Sequence, residues 1–267
     1  MSLVISKVFT YDTDAGDYIQ RVEGASGDNQ ALEPATRQAI NNFVIGCKQD
    51  GIWNAIKASC ILSGARTLNG ALQPLVGTAP TNVGPFVTGD YVRKTGLVGN
   101  GSSKALNSNR AANADPQNSR HLSVYMSTAG GANEIHAGDA TFATNGNSVL
   151  YRNASDQFGG RSVYPQNLAG SDLNITATTV SASVPCLFGI VRTGASAQSL
   201  RGGRQTVSNT ISSVAPATAN TFIFTNSASE ARTTARLAFY SIGESLDLAL
   251  LDARVTALIT AFGVAIP

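Results

Sequence analysis

The chain has 267 residues, a formal net charge of +2 and a charged fraction of only 13%, about half the quarter that is usual for soluble proteins. Its hydrophobic fraction of 43% permits a sizeable core. Asn, Ser, Thr and Gly supply most of the polarity, which favours extended β-structure over a charged helical enzyme. The small net charge, without a basic run, argues against a nucleic-acid surface, so no nucleic acid is expected as a partner.

The amino terminus and the cysteines indicate a protein made in a reducing cytoplasm. The first residues, MSLVI, lack the charged start, long apolar region and cleavage site of a signal peptide. No apolar run approaches the roughly 18 residues of a membrane span, so no membrane contact is expected. The three cysteines, Cys47, Cys60 and Cys186, are odd in number and form no C-x-x-C pair, which predicts buried thiols rather than disulfides or a zinc site.

Residues 1–58 are predicted to form a strand followed by a helical docking segment. The run at 3–10 is β-like and suited to pairing with another chain, because an unpaired edge seeks a partner. A short helix is predicted over 18–23. The strongest helix is predicted over 32–48, where apolar residues recur at the spacing of one helical face.

The remaining residues, 59–267, predict a β-sandwich of short strands separated by Gly, Asn, Ser and Thr. The stretch 93–109 is interpreted as a hairpin whose corner is GNG, since Gly and Asn tolerate positive φ. No helical stripe follows that corner, as a nucleotide site would need, which favours turn geometry over a phosphate-cradling loop. Strands are predicted at 59–63, 71–76, 97–98, 105–106, 121–127, 140–143, 148–152, 161–164, 172–178, 185–193, 198–201, 204–207, 220–226 and 236–242.

A short helix is predicted to close the chain. Ser245 suits the N-cap position. Apolar residues then recur at steps of three and four, which predicts a stripe facing the sheet, and Gly263 is expected to end the helix.

Three pieces of the chain resemble the concanavalin A-like (laminin-G-like, jelly-roll) sandwiches of tailed-bacteriophage virion proteins. GLVGNGSSKALNSN resembles an early Gly-rich hairpin of that superfamily, and CLFGIVRTGASAQSLRGGRQ resembles its central strand and the hairpin after it. RLAFYSIGESLDLALLDARVTAL resembles the closing strand and short helix. The lead segment ALEPATRQAINNFVIGCKQDGIWNAIKASCILSGARTLNGAL is also similar to phage structural proteins. The resemblance spans roughly residues 15 to 262.

The resemblance implies a mainly β protein: a jelly-roll concanavalin A-like sandwich with a helical N-terminal segment and a short C-terminal helix. It also implies a non-enzymatic virion protein of the tail-fibre or tail-tip type that binds host surface glycan. The alternative is a capsid or tail decoration protein that packs on other subunits without binding sugar. The expected partners are other phage virion proteins, host cell-surface polysaccharide and further copies of the chain, a trimer by analogy with fibre proteins.

A third alternative, a glycan-cleaving enzyme, lacks its sequence signature. Glycoside hydrolases need two carboxyl groups across the sugar, and none of the five Glu residues has an acidic residue two positions away. No catalytic residues are therefore predicted. The two histidines, His121 at a strand start and His136 in a loop, are interpreted as strand-end or surface imidazoles.

No cofactor is predicted, although calcium is an open alternative because many lectins of this fold bind it. Asp139 and Asp156 lie in Asn-rich loops near Asn145, Asn147 and Asn153. Their spacing matches no EF-hand, and loop Asp and Asn usually serve turns, so no metal ligands are assigned.

A glycan site is expected where aromatic faces and planar polar groups meet on loops between residues 129 and 204. Packing of the same Arg and Tyr side chains on a neighbouring subunit is an equal alternative. The candidate ligand-binding residues are Tyr151, Arg152, Arg161, Tyr164, Arg201 and Arg204.

Overall fold

The fold comes from a computed structural model that describes residues 10–25, 31–166 and 172–267. The predicted strand at 3–10 lies outside the described residues except for its last residue, Thr10. The helices are α1 Thr13–Ala25, α2 Pro34–Gln49, α3 Leu68–Ala71, α4 Ala177–Ser183 and α5 Leu248–Ala265. The strands are β1 Ile56–Ile61, β2 Pro74–Val76, β3 Thr81–Val83, β4 Tyr91–Val92, β5 Gly96–Val98, β6 Ala105–Ala111, β7 Arg120–Thr128, β8 Glu134–Gly138, β9 Asn147–Arg152, β10 Gln157–Tyr164, β11 Leu173–Thr176, β12 Cys186–Arg192, β13 Ala197–Gly202, β14 Gln205–Thr210, β15 Asn220–Ile223 and β16 Arg236–Gly243.

Two antiparallel sheets pack face to face. Sheet A has nine strands, in the order β14-β13-β12-β7-β16-β1-β2, with β5 pairing β16 and β4 pairing β5. Sheet B has seven strands, in the order β11-β10-β9-β8-β15-β6-β3. One apolar cluster fills the space between them, with Phe188 and Tyr240 from sheet A against Leu150 and Phe158 from sheet B. The chain is therefore a two-sheet sandwich.

The stretch 93–109 is not the hairpin that its Gly-Asn-Gly corner predicts. β5 lies in sheet A against β16, whereas β6 lies in sheet B between β15 and β3. The corner carries the chain from one sheet to the other. Its Asn100 side chain accepts hydrogen bonds from the N–H groups of Ser102, Ser103 and Lys104, as in an Asx turn.

Three other predicted elements are wrong in placement. The strand predicted at 140–143 is a turn, and the strand of this region is β8, at Glu134–Gly138. Within 71–76 only Pro74–Val76 is strand, because Ala71 ends α3. The segment 177–183 forms α4 where the pattern predicted the end of a strand.

Helices α1, α2 and α5 cover the outer face of sheet A. A second apolar cluster joins them to the sheet, and Phe43 of α2 meets Phe239 of β16 edge to face at 5.8 Å. This explains why β7 and β12 are buried on both faces. The division of the chain at residue 58 stays a prediction, and β1 begins two residues before it.

The ends of α5 differ from the sequence prediction. Asp247, not Ser245, caps the helix, because its carboxylate accepts hydrogen bonds from the N–H groups of Ala249 and Leu250. The helix continues through Gly263 to Ala265. By length and composition alone α5 could cross a membrane, with a mean hydropathy of 1.7. Seven of its residues are buried in the fold, which is typical of a core helix.

Both histidines are buried, so neither is a surface group. His121 lies at the start of β7, as predicted, whereas His136 lies within β8 and not in a loop. His121 hydrogen-bonds Ser241 through Nε2, at 2.7 Å, and the Glu244 carbonyl oxygen through Nδ1, at 2.6 Å. His136 lies in β8, stacked on Phe158 with ring centroids 5.5 Å apart. Burial is the main cause that lowers the pKa of each imidazole to about 4.

We expect stability to fall by about 2 kcal/mol between about pH 7 and about pH 5. Unfolded histidine titrates near pH 6.5, so in this window the unfolded chain binds more protons at these two positions than the folded chain. Buried Asp139 opposes the trend: burial raises its pKa to about 6, and the folded chain gains its proton first. Urea unfolding at both pH values measures the difference.

The variant Asp139→Asn provides the control for this pH dependence. Without the opposing carboxyl group, its stability should fall by about 1 kcal/mol more than that of the unchanged protein over the same window. Equal stability at both pH values in the unchanged protein would show that the histidines are not held neutral by folding.

Candidate functional site

A pocket of about 340 Å³ opens on the outer face of sheet B, where β8, β9 and β10 lie side by side. It combines two aromatic rings, two guanidinium groups and two side-chain amides. The lining residues are Asn133, Glu134, Ile135, Phe142, Tyr151, Arg152, Asn153, Arg161 and Ala231.

The alternation of β9 places Tyr151 on the outer face, since its neighbour Leu150 points into the sandwich. Tyr151 pairs with Gly159 of β10. A Cβ atom at Gly159 would lie 2.3 Å from Cζ of Tyr151, so the missing side chain lets the ring lie across the strand. Phe142 meets Tyr151 edge to face at 5.0 Å. The two rings form the aromatic floor of the pocket.

Arg161 is held between aromatic rings. Its guanidinium carbon lies 4.9 Å from the ring centre of Phe142 and 4.6 Å from that of Tyr164. Its NH2 group donates to Asp172 Oδ2 at 2.6 Å, and the Tyr151 hydroxyl donates to the same oxygen. Burial and the carboxylate together raise the pKa of Tyr151 above its ordinary value. This network fixes both side chains.

Arg152 borders the pocket on its other side. Its side chain donates to the Gly130 carbonyl oxygen through NH1 and to Asp156 Oδ1 through NH2, the latter at 2.5 Å. Its guanidinium also lies 5.4 Å from the ring centre of Phe158. Both arginines of the pocket are therefore already paired with carboxylates.

Glu134 is the one carboxylate among the described residues that line the pocket. Its oxygens accept hydrogen bonds from the hydroxyl groups of Thr233 and Thr234, each at 2.6 Å, and from the Thr234 N–H at 2.9 Å. Burial alone would raise the pKa of Glu134, but these bonds outweigh it and hold the pKa below its usual value. The Glu134 carboxylate is thus kept ionised, and both of its oxygens already accept hydrogen bonds within the protein.

The Glu134 contacts extend into the sandwich. The Thr233 hydroxyl donates to Glu134, so its oxygen accepts from His136 Nδ1–H at 2.9 Å. Within the described part of the chain, His136 Nε2 has no hydrogen-bond partner. This chain of bonds connects the pocket wall to the core and fixes the neutral tautomer of the imidazole.

The structure brings together three of the six residues predicted for the site: Tyr151, Arg152 and Arg161. Tyr164 is almost fully buried beneath Arg161 and supports it from below. Arg201 and Arg204 lie on sheet A; the first donates to Asp252 of α5 at 2.9 Å, and the second is exposed in a turn.

Sequence reasoning did not include Phe142 and the amide groups of Asn133 and Asn153 in the site. The sequence does carry a signal for Phe142, because it is the one Phe, Tyr or Trp residue in the Gly- and Asn-rich block between 129 and 147. Asn133 has a φ of +59°, which marks a turn before β8.

The acidic residues considered for calcium do not form a ligand cluster. The Asp139 carboxylate is buried and accepts from the Ser148 N–H at 2.7 Å, whereas Asp156 pairs with Arg152 at the surface. Among the described residues, no group of three or more His, Cys, Asp or Glu side chains could hold a metal.

No protein-family model matches the chain, and a search of curated proteins finds no match. Among solved structures, the botulinum neurotoxin serotype D binding domain is similar at 12% identity over 76% of this chain and 51% of that one, with a TM-score of 0.51. The binding domain of botulinum neurotoxin DC in complex with SialylT is similar at 11% identity over 78% of this chain and 51% of that one, with a TM-score of 0.48. Mouse laminin α1 domains LG4-5 are similar at 12% identity over 66% of this chain and 47% of that one, with a TM-score of 0.39.

The chain spans about half the length of these structures. At 12% identity the likeness to the serotype D domain shows the fold alone. That fold is the predicted one: a mainly β sandwich of two antiparallel sheets with an N-terminal helical segment and a C-terminal helix. The prediction of the fold class is therefore confirmed.

Proposed function

We propose that this protein is a non-enzymatic, glycan-binding structural protein of a tailed-bacteriophage virion, of the tail-fibre or tail-tip type. The observation that carries the glycan-binding part is the pocket over Phe142 and Tyr151, where an aromatic floor meets the amides of Asn133 and Asn153. Sugars present apolar C–H faces and a rim of hydroxyl groups. An aromatic floor with planar polar groups at its border complements both.

The charges around the pocket favour a neutral sugar. Arg161 and Arg152 are paired with Asp172 and Asp156, so neither guanidinium is left to hold a ligand carboxylate. Glu134 adds a further negative charge at the wall. An anionic sugar would meet a net negative environment, whereas a neutral hexose or pentose unit would not.

The same geometry supports a binding function without hydrolysis. Glycoside hydrolysis uses two carboxyl groups, one of them with a raised pKa. Glu134 instead has a lowered pKa and accepts hydrogen bonds on both oxygens. Asp172 is bonded to Arg161 and Tyr151. Neither group is arranged to donate a proton to a glycosidic oxygen.

The virion part of the proposal is supported by the sequence resemblance of the lead segment and of the strand and helix that close the chain. In this proposal the protein is made in the host cytoplasm and assembles with other virion proteins, and its helical layer on sheet A docks to the particle. The outer face of sheet B, which carries the pocket, lies on the opposite side of the sandwich.

A decoration role remains the second candidate, and one observation favours it. α5 exposes Leu250 and Val264, the latter 85% exposed, on a helix whose two charged side chains are already paired. A glycan array and whole host cells separate the two roles: binding to neither would leave the decoration role, whereas release of reducing ends from host polysaccharide would show an enzyme.

We expect Phe142→Ala to lower affinity for the bound glycan about tenfold or more, since stacking on an aromatic face is worth on the order of 1 kcal/mol or more. The side chain is partly exposed and lies at the pocket, so the fold should remain intact. Calorimetric titration with the oligosaccharide selected on the array, neutral or acidic, measures the loss.

Arg204→Ala is the matched control, because Arg204 is exposed and lies on the other sheet. Its affinity should equal that of the unchanged protein. Unaltered affinity in Phe142→Ala would remove this pocket from the binding site. Preferential binding of acidic oligosaccharides would contradict the charge argument while leaving the binding function standing.

A further inference from the structure

Among the described residues, sheet A ends in three edge strands and sheet B in two, and an exposed edge strand is a template for pairing with another chain. The edges are β2, β4 and β14 in sheet A and β3 and β11 in sheet B. Natural proteins block such edges with proline, charge, shortness or a covering element. Four of these five edges carry one of these devices, and β4 is blocked by its length of two residues.

The edge at β2 is blocked twice. Pro74 has no N–H to offer, and the NH2 group of Arg21 in α1 donates to the carbonyl oxygens of Pro74 and Leu75 at 3.2 and 3.4 Å. The edge at β3 has three residues and lies between Pro80 and Pro85. Neither offers a length of free backbone.

The edge at β11 is short and interrupted. Its four residues lead directly into α4, which begins at Ala177. The Ala177 N–H donates to the Asp156 carbonyl oxygen at 2.8 Å, which turns the chain back over β10. A partner strand would meet the helix after one or two residues.

β14 is the longest of these edge strands, and its own residues carry neither proline nor charge. Its six residues are QTVSNT, and none of them is buried. A tight turn holds it against β13, with Gly203 and Arg204 both at positive φ, 56° and 64°. That conformation matches the twist of a two-residue hairpin. The strand is presented as a rigid, uncharged edge.

The hydrogen bonds between β13 and β14 show which backbone N–H and C=O groups of β14 point away from β13. Ile211 N–H donates to the Ser196 carbonyl oxygen of the neighbouring chain segment at 2.8 Å. In an antiparallel pair such inward residues alternate with residues whose N–H and C=O point away. The outward set is therefore Thr206, Ser208 and Thr210, and no backbone partner for them occurs among the described residues.

We propose that β14 pairs with β14 of a second copy of this chain, antiparallel about a twofold axis through Ser208. Ser208 then lies opposite itself, and Thr206 lies opposite Thr210 of the other copy. Each of these pairs exchanges two backbone hydrogen bonds, and the two nine-stranded sheets become one continuous sheet.

The strand's chemistry selects a second copy as the occupant. Facing hydroxyl side chains at all three pairs form favourable cross-strand contacts. Because β14 has no charge, no like charges meet across the axis. The nearest exposed charge, Arg204, lies beyond the far end of the partner strand, beside the uncharged residues 211–213, so the two Arg204 side chains stay apart.

Crosslinking at the axis tests the pairing directly. In such a pair the two Ser208 Cα atoms lie about 5.5 Å apart, within the range for a disulfide. We expect Ser208→Cys to form an intermolecular disulfide under mild oxidation, in high yield and without denaturant. Cys47, Cys60 and Cys186 are buried and will not compete. Thr81→Cys, on the blocked edge at β3, is the matched control and should remain monomeric on denaturing gels.

The mass in solution gives the second measurement. Sedimentation equilibrium should give twice 27.6 kDa for the unchanged protein and a single-chain mass for Ser208→Lys, which places two lysines face to face. Ser208 is exposed, so unchanged circular dichroism should confirm that this variant folds. A single-chain mass at every concentration, a trimer, or a dimer that persists in Ser208→Lys would overturn the proposal.

Discussion

Replacing Gly99 with alanine is expected to lower the free energy of unfolding by about 3 kcal/mol or more, the upper range for overpacking. The new Cβ atom would lie 1.9 Å from the Thr233 carbonyl oxygen and 3.1 Å from the Phe224 ring. The Gly99 N–H donates to the Ala235 carbonyl oxygen at 3.0 Å, so the corner cannot move away without losing that bond. Urea unfolding followed by circular dichroism measures the change.

Gly263→Ala is the matched control for this prediction. A Cβ atom at Gly263 meets nothing within 4 Å, and alanine favours a helix over glycine by about 1 kcal/mol. This variant should therefore be slightly more stable than the unchanged protein. If Gly99→Ala proved as stable as Gly263→Ala, the close approach between the corner and the 233–235 segment would be wrong.

The second large effect is expected at Arg192, which is fully buried without a carboxylate partner among the described residues. Its guanidinium donates to the carbonyl oxygens of Ser162 and Ile211, each at 2.8 Å, and to Gln198 Oε1 at 3.2 Å. Burial, followed by the nearby charge of Arg120, lowers its pKa to about 10. The group therefore joins β12 to β10 and to the segment after β14.

We expect Arg192→Ala to cost about 4 kcal/mol, because it leaves a cavity and several buried oxygens without donors. Thermal and urea unfolding measure the loss. Arg204→Ala, at an exposed arginine, should change stability by less than about 0.5 kcal/mol. Similar small effects in both variants would show that the buried guanidinium is not a structural connection.

The sequence predicts those strands and helices in which a long hydrophobic pattern indicates one type of secondary structure throughout. The apolar run at 185–193 became β12 and the alternating run at 121–127 became β7, both central in sheet A. The helical stripes became α2 and α5. In each case the spacing of the apolar residues along the chain identifies the helix or strand, so the element can be predicted without knowing what it packs against.

Where pairing depends on distant partners, the predicted pairing was wrong or the strand was not predicted. The Gly-Asn-Gly corner has the local chemistry of a hairpin, yet β5 and β6 pair with strands more than 100 residues later in the chain. β8 was not predicted, because its five residues, EIHAG, include a charge and small side chains that are not typical of a strand. It forms a strand because it is buried between β9 and β15.

The part of the candidate site that the sequence predicts is the part carried by the hairpin of β9 and β10. Tyr151, Arg152 and Arg161 meet because β9 and β10 are adjacent in sequence and in space. Arg201 and Arg204 lie on the other sheet because β13 and β14 extend sheet A from β12, an assignment that needs the topology. Phe142 enters from a loop whose position depends on Arg161 and Tyr151.

The three thiols are distributed through the layers of the fold. Cys47 lies in the cluster between the helices and sheet A, and Cys60 and Cys186 lie in the cluster between the two sheets. Burial raises the pKa of all three thiols, to about 12 for Cys47 and Cys60 and about 11 for Cys186, so they react only when the fold opens. Their labelling rates, residue by residue, are therefore a native measure of local unfolding: if the helical layer detaches as a separate cooperative unit, Cys47 reacts at a lower opening free energy than the other two.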